Sequence, residues 1–149
     1  MGWIEALRGR IVAVDTAPFI YLIEENSTYL EMVCSFFSAM DRGEFRAVTS
    51  TITLLEVLIY PLRRHDVALA QQYREILLCA EGLTTVPLFP EIAEEGARLR
   101  AQYNITTPDA VQMATAIYEG ASFFLTNDAG LPSLPMLKVL VLEELRKGA

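Results

Sequence analysis

Apolar residues recur along this chain in two alternating rhythms. Short runs rich in β-branched and aromatic residues, "RIVAV" (10–14), "FRAVTS" (45–50), "LTTVPLF" (83–89), "SFFLT" (122–126) and "LKVLVL" (137–142), read as strands, the first of them buried on both faces. Between them apolar residues fall at helical spacing. "TAPFIYLIEEN" reads as a short helix. Leu30, Val33, Phe37 and Met40 mark a second, starting near Ser27 and closed by Gly43. "TITLLEVLIYPLRR" predicts a helix up to about Pro61. "HDVALAQQYREILLCAEG" aligns Leu69, Tyr73, Ile76 and Ala80, with Gly82 as its stop. "EIAEEGARLRAQY" aligns Ile92, Gly96, Leu99 and Tyr103. "TTPDAVQMATA" opens a further helix, capped by Thr107, with Pro108 in its first turn and its end near Gly120. "EELRKGA" forms a last one. Pro87 places the third strand at a sheet edge. This alternation predicts a three-layer α/β/α sandwich around a five-stranded, mostly parallel sheet. The 149 residues carry no repeat or linker, so one domain over 1–149 is expected.

Composition narrows the function. No apolar run approaches the ~18 residues of a membrane span. The stretch "MGWIEALRGR" lacks the basic start and apolar middle of a signal peptide. A cytoplasmic protein is expected, with no membrane partner. Cys34 and Cys79, the only cysteines, sit among apolar helical neighbours and are expected to be buried and reduced. The net charge of −7 argues against a broad basic surface for nucleic acid. A small site in which metal ions reverse the local sign is still open to such a chain.

In open parallel sheets, ligands bind beyond the carboxyl ends of the strands. Asp15 follows the first strand directly, and Asp128 follows the fourth after Asn127. Glu56 lies about a turn into the helix after the second strand. Asp109 opens the helix that leads to the fourth, and it reaches the same edge only if the loop "YNITT" rises there. Each acid has a plainer explanation. Asp15 can cap the next helix, and Glu56 can pair with Thr53 as a capping box. Asp109 suits a helix dipole, and Asp128 a turn. Taken together, clustered carboxylates repel one another unless a cation sits among them. Oxygen ligands without His or Cys suit Mg²⁺ or Mn²⁺, and such an ion activates water for phosphodiester hydrolysis. There is no phosphate-binding glycine loop and no serine nucleophile elbow. His65, the single histidine, reads as a solvated cap-region residue, and a metal-free route through paired histidines is excluded by that count. A haloacid-dehalogenase-type phosphatase would want an acid where Ala17 stands. A receiver domain would want an acidic pair where only Asp15 is found.

"VDTAPFIYLIE", "TLLEVLIYPLRR", "TTPDAVQMATA" and "FFLTNDAGL" resemble, in that order, the PIN-domain family, and more narrowly the VapC-type toxins of prokaryotic toxin–antitoxin pairs. The resemblance runs from Ile11 to Leu142. It implies a Mg²⁺- or Mn²⁺-dependent endoribonuclease with Asp15, Glu56, Asp109 and Asp128 as catalytic metal ligands. It also implies Thr126 as a hydroxyl that orients the pocket, Thr16 at the small or hydroxyl position after the first acid, and Asn127 beside the site. Arg63 and Arg64 are the candidates for an RNA path. A small antitoxin partner is implied, with Tyr21, Leu22, Phe36 and Phe37 as candidates for its apolar groove, and so is a homodimer. The competing reading is a catalytically silent module of this fold that binds a protein or RNA partner.

Overall fold

The computed structural model describes residues 2–148, so the expected domain limits, 1–149, end on residues outside the described ones. The chain folds as α1 (Gly2–Glu5), β1 (Ile11–Val14), α2 (Thr16–Ile23), α3 (Leu30–Asp41), β2 (Arg46–Ser50), α4 (Thr51–Arg63), α5 (Val67–Cys79), β3 (Leu83–Val86), α6 (Pro90–Gln102), α7 (Thr107–Tyr118), β4 (Phe123–Thr126), β5 (Lys138–Val141) and α8 (Leu142–Gly148). Every expected strand is present. The pairings among named strands are all parallel, in the order β3-β2-β1-β4-β5, which leaves β3 and its Pro87 at an edge.

The two-residue period of each strand divides the interior. Val12, Val14, Ala47 and Leu125 face one core, built with α1 to α5 and α8. Ala13, Val48 and Phe124 face the other, which α6 and α7 cover. Strands covered on both faces cannot alternate with polar residues, which is why they read as continuous apolar runs. Chain order reverses beside β1: β2 and β3 extend the sheet to one side, β4 and β5 to the other. Such a reversal leaves a crevice above the carboxyl ends of the strands that flank it, here β1 and β4.

Several sequence readings need correction. Cys34 and Cys79 are exposed, because Val33, Phe36, Phe37 and Met40 take the inward face of α3, and Tyr73 and Leu77 that of α5. Helix α3 begins at Leu30 rather than Ser27, since Asn26 caps a preceding turn through the backbone amides of Thr28 and Tyr29. Thr106, not Thr107, caps α7. Pro61 lies inside α4, which continues to Arg63. Proline there removes the amide that would donate to Val57 O, a cost that the burial of Pro61 against the core helps to offset. His65 then takes a left-handed conformation (φ 54°) that turns the chain into α5.

Gly96 packs α6 against α7. A Cβ built there would meet Ala110 O at 3.7 Å, an ordinary contact. Gly96→Ala should therefore gain helix propensity without strain and stabilise the protein by about 0.5–1 kcal/mol. A urea midpoint that rises at constant slope checks this. A midpoint that falls would mean the α6–α7 contact has no room for a methyl group.

Candidate metal centre

Strand pairing fixes the first acid. Val14 is in register with Leu125, and the Asp15 amide donates to Leu125 O at 2.9 Å. At the end of β1 Asp15 becomes the N-cap of α2: one carboxylate oxygen accepts from the Thr16 amide at 2.8 Å. The other accepts from the Thr126 hydroxyl, at the end of β4, at 2.7 Å. Thr126 is fully buried, and its Oγ1 also accepts from the Asp128 amide at 3.1 Å. Asp128 in turn holds a tight turn by accepting from the Gly130 amide at 2.8 Å. Its side chain is exposed, in contrast to the half-buried Asp15.

Glu56 is not part of a capping box. Ser50 caps α4 by accepting from the Ile52 amide, which leaves Thr53 inside the helix. The Glu56 carboxylate accepts instead from the Thr16 hydroxyl at 2.5 Å, across to α2. Asp109 does reach the same edge. Only residues 119–122 separate α7 from the start of β4, so the helix must begin at the opposite, carboxyl end of the sheet. The loop before it is braced by Arg100, which donates to Ile105 O and to the Thr107 hydroxyl, each at 2.9 Å.

Electrostatics links these groups. Burial is the main cause that pushes the Asp15 carboxyl above its ordinary value. Hydrogen bonds from Thr126 and Thr16 hold it back, while the charges of Asp109 and Glu56 push it further. Asp109 is also raised, first by burial and then by the charge of Asp128, against a hydrogen bond from Thr106. Among the described residues, no Lys, Arg or His forms an ion pair with any of the four acids. No three of them converge tightly enough to enclose a metal ion by themselves. The donor set of carboxylates and hydroxyls fits a hard divalent ion of the kind bound through one or two carboxylates, with water completing its shell.

The other candidates divide. Thr16 and Thr126 lie within the acid cluster. Asn127 turns away from it: its amide donates to the Tyr21 hydroxyl at 3.0 Å and its carbonyl accepts from the Glu143 amide at 2.9 Å. Arg63 and Arg64 end α4, about 10 Å beyond Glu56 along the helix, and are exposed. Phe36 and Phe37 are core residues, 0% and 4% exposed, so only the half-buried Tyr21 and Leu22 of the expected groove remain near the surface. One cluster was not anticipated. Thr49, Thr53 and Gln112 form a buried polar group behind the acids. Its signal was Gln112 itself, an amide inside the apolar stretch "AVQMATA".

The chain matches the PIN domain family over residues 12–135. No curated protein matches it. Among solved structures, VapBC2 from Rickettsia felis, bound to a promoter DNA fragment, is 18% identical with a TM-score of 0.70, covering 88% of this chain and 98% of that one. DNA-bound VapBC from Salmonella typhimurium is 15% identical with a TM-score of 0.65, covering 89% and 98%. VapC20 from Mycobacterium tuberculosis, described as a sarcin-ricin loop cleaving toxin, is 15% identical with a TM-score of 0.62, covering 76% and 86%. At these identities the likeness concerns the fold.

A carboxyl group raised in the folded state binds its proton more tightly there than in the unfolded chain. The stability it contributes is present below the unfolded value and is lost as pH rises through the folded one. Once ionised, Asp15 and Asp109 therefore oppose folding of the metal-free protein. Asp109→Asn should raise its Tm at pH 7 by about 1–3 °C, and the gain should shrink as pH falls towards ~4. Thermal melts across that range are the check, and a gain independent of pH would rule out charge as its source.

Proposed function

This chain belongs to the PIN domain family, and on that premise we propose that it is a Mg²⁺- or Mn²⁺-dependent endoribonuclease, the toxin of a toxin–antitoxin pair. The observation that carries the reading is Asp15, half-buried and raised by desolvation, with acids for neighbours and, among the described residues, no ion pair to a cation. Such a charge arrangement weakens the fold and makes chemical sense where a divalent ion is to be held. The toxin assignment draws on the likeness to the VapBC structures and to VapC20.

When bound, a divalent ion supplies an acidified water that attacks phosphorus and a positive charge for the leaving oxygen. The chain's part is to hold that ion and orient it. Asp15 offers a carboxylate whose direction is fixed by the Thr126 hydroxyl and the Thr16 amide. Glu56 is aimed by Thr16, Asp109 by the start of α7 and Asp128 by its turn. Arg63 and Arg64 would take RNA phosphates. The Arg64 guanidinium lies 5.2 Å from the ring centre of the exposed Tyr60, so a cation and an aromatic surface stand together there.

An antitoxin and a homodimer belong to the same proposal. Apolar surface that such contacts could use includes the outward stripe of α4, Leu55, Ile59 and Leu62. A cytoplasmic location is likewise part of it. The supporting fact is narrower: no helix among the described residues is long and apolar enough to cross a membrane.

Purified protein should cleave single-stranded RNA with Mn²⁺ or Mg²⁺, stop on chelation and recover when metal is restored. Asp15→Asn should lower kcat/KM by more than ~100-fold with the circular dichroism spectrum unchanged, a larger loss than outer partners of a metal site usually cause. Cleavage that persists in EDTA would sink the mechanism. Protein that takes up no Mn²⁺ at millimolar concentration would instead favour the silent binding module.

A further inference from the structure

Gln112 is the most informative polar residue outside the acids. It is 3% exposed, and every neighbour from Ala110 to Ala116 in α7 is buried with it. An amide taken out of water costs free energy unless it is hydrogen-bonded. Its partners lie on other elements: Thr53 Oγ1 of α4 at 2.7 Å and Thr16 Oγ1 of α2 at 3.3 Å.

Proton bookkeeping fixes the direction of each bond. Each hydroxyl has one proton to give. Thr49 Oγ1 gives its own to Val14 O at 2.7 Å. In its 2.8 Å contact with Thr49, Thr53 must therefore be the donor. Thr16 gives its proton to Glu56 at 2.5 Å. Both hydroxyls facing Gln112 have then spent their protons and can only accept. Only the NH₂ end of the amide, with its two protons, satisfies both.

A competitor is visible in the same geometry. Thr53 Oγ1 lies 3.5 Å from Thr16 Oγ1 and is the other acceptor the Thr16 proton could choose. Gln112 takes one of the two acceptor positions of Thr53 Oγ1 and, by donating to Thr16, polarises its hydroxyl as a donor. The Thr16 proton then favours Glu56, at 2.5 Å, over the remaining position on Thr53, at 3.5 Å.

We propose that Gln112 is a positioning residue that acts through Thr16 to hold the Glu56 carboxylate in its place in the acidic site. This rests on the reading of Glu56 as a metal-holding acid. Gln112 also lies one helical turn after Asp109, so a single amide ties together the elements that carry Asp109, Glu56 and, through Thr16, Asp15. Removing its donors frees the other acceptor position of Thr53, and Thr16 then divides its proton between Thr53 and Glu56.

The test uses Gln112→Met, which keeps the length of the side chain and removes its donors, with Gln112→Ala as the alternative should that variant not fold. Mn²⁺ alone is titrated into each protein. Affinity should fall about 10–100-fold in Gln112→Met, as is usual when a partner behind a ligand is lost. It should fall similarly in Thr16→Val. The double variant should be no weaker than Thr16→Val, because the two act in series. Independent losses that add would contradict the relay. A second measurement needs no metal: NMR couplings that report the Thr16 side-chain rotamer. They should give one rotamer in the native protein and an average in Gln112→Met. A single unchanged rotamer would overturn the inference, whatever the metal titration gives. If the native protein itself takes up no Mn²⁺ at millimolar concentration, the metal function fails, and the Thr16 rotamer alone decides the role of Gln112.

Discussion

Like charges gathered at one sheet edge are the constraint around which this molecule is organised. Two carboxylates a few ångströms apart near a protein surface repel by a few kcal/mol at an effective dielectric constant of ~20. Among the described residues the four acids have no ion pair to offset that. They are held by covalent position and hydrogen bonds instead. Asp15 cannot withdraw, because its amide belongs to the β1–β4 ladder and its side chain is bonded at both oxygens. Glu56 is held from across the crevice by Thr16. Asp109 sits at the head of a helix whose flank is seamed to α6 by Gly96 and Ala110.

The modest explanations of these acids turn out to be part of the same design. Asp15 is a helix cap, and Asp128 does close a turn. Asp109 does lie in a first turn, where the backbone favours a negative charge. These local roles stabilise the carboxylates and so offset part of their mutual repulsion. Glu56 is the exception. It has no capping function, and its one hydrogen bond crosses from α4 to α2. That makes it the acid whose direction depends most on tertiary contacts, and the one that a buried relay behind it can control.

How far the sequence could be read follows from the range of each interaction. Strands buried on both faces announce themselves as apolar runs, and Pro87 marked the edge. Asp15 and Asp128 had to lie at one sheet edge once their strands belonged to one parallel sheet. Helical stripes were read correctly, but which flank of a stripe faces inward was not, so Cys34 and Cys79 were misplaced. Phe36 and Phe37 failed as groove residues for the related reason that aromatic bulk is as useful to a core as to a partner. The height of Asp109 follows from topology: a helix that leads into a parallel strand through four residues must begin at that strand's carboxyl end, and the Arg100 bonds only brace the loop before it. Gln112 was harder still. Its partners stand 59 and 96 residues away, and what shows in sequence is only an amide in an apolar setting.

The charge of the chain and its proposed substrate are reconciled by geometry more than by totals. A protein of net charge −7 repels RNA at long range, so phosphate contacts have to be few and local. Glu56, Tyr60 and Arg63 are spaced four and then three residues apart, which sets them on one face of α4 leading away from the acids. A strand that lay along this face would meet an aromatic surface and then cations, with the acidic edge at its other end. Stacking on Tyr60 and a pair of arginines would supply short-range binding that does not require a basic surface. Attraction at the cleavage position itself would fall to the bound ion. On this reading, loss of the metal removes the chemistry and the attraction at the cleavage position, while binding through Tyr60 and the arginines survives it.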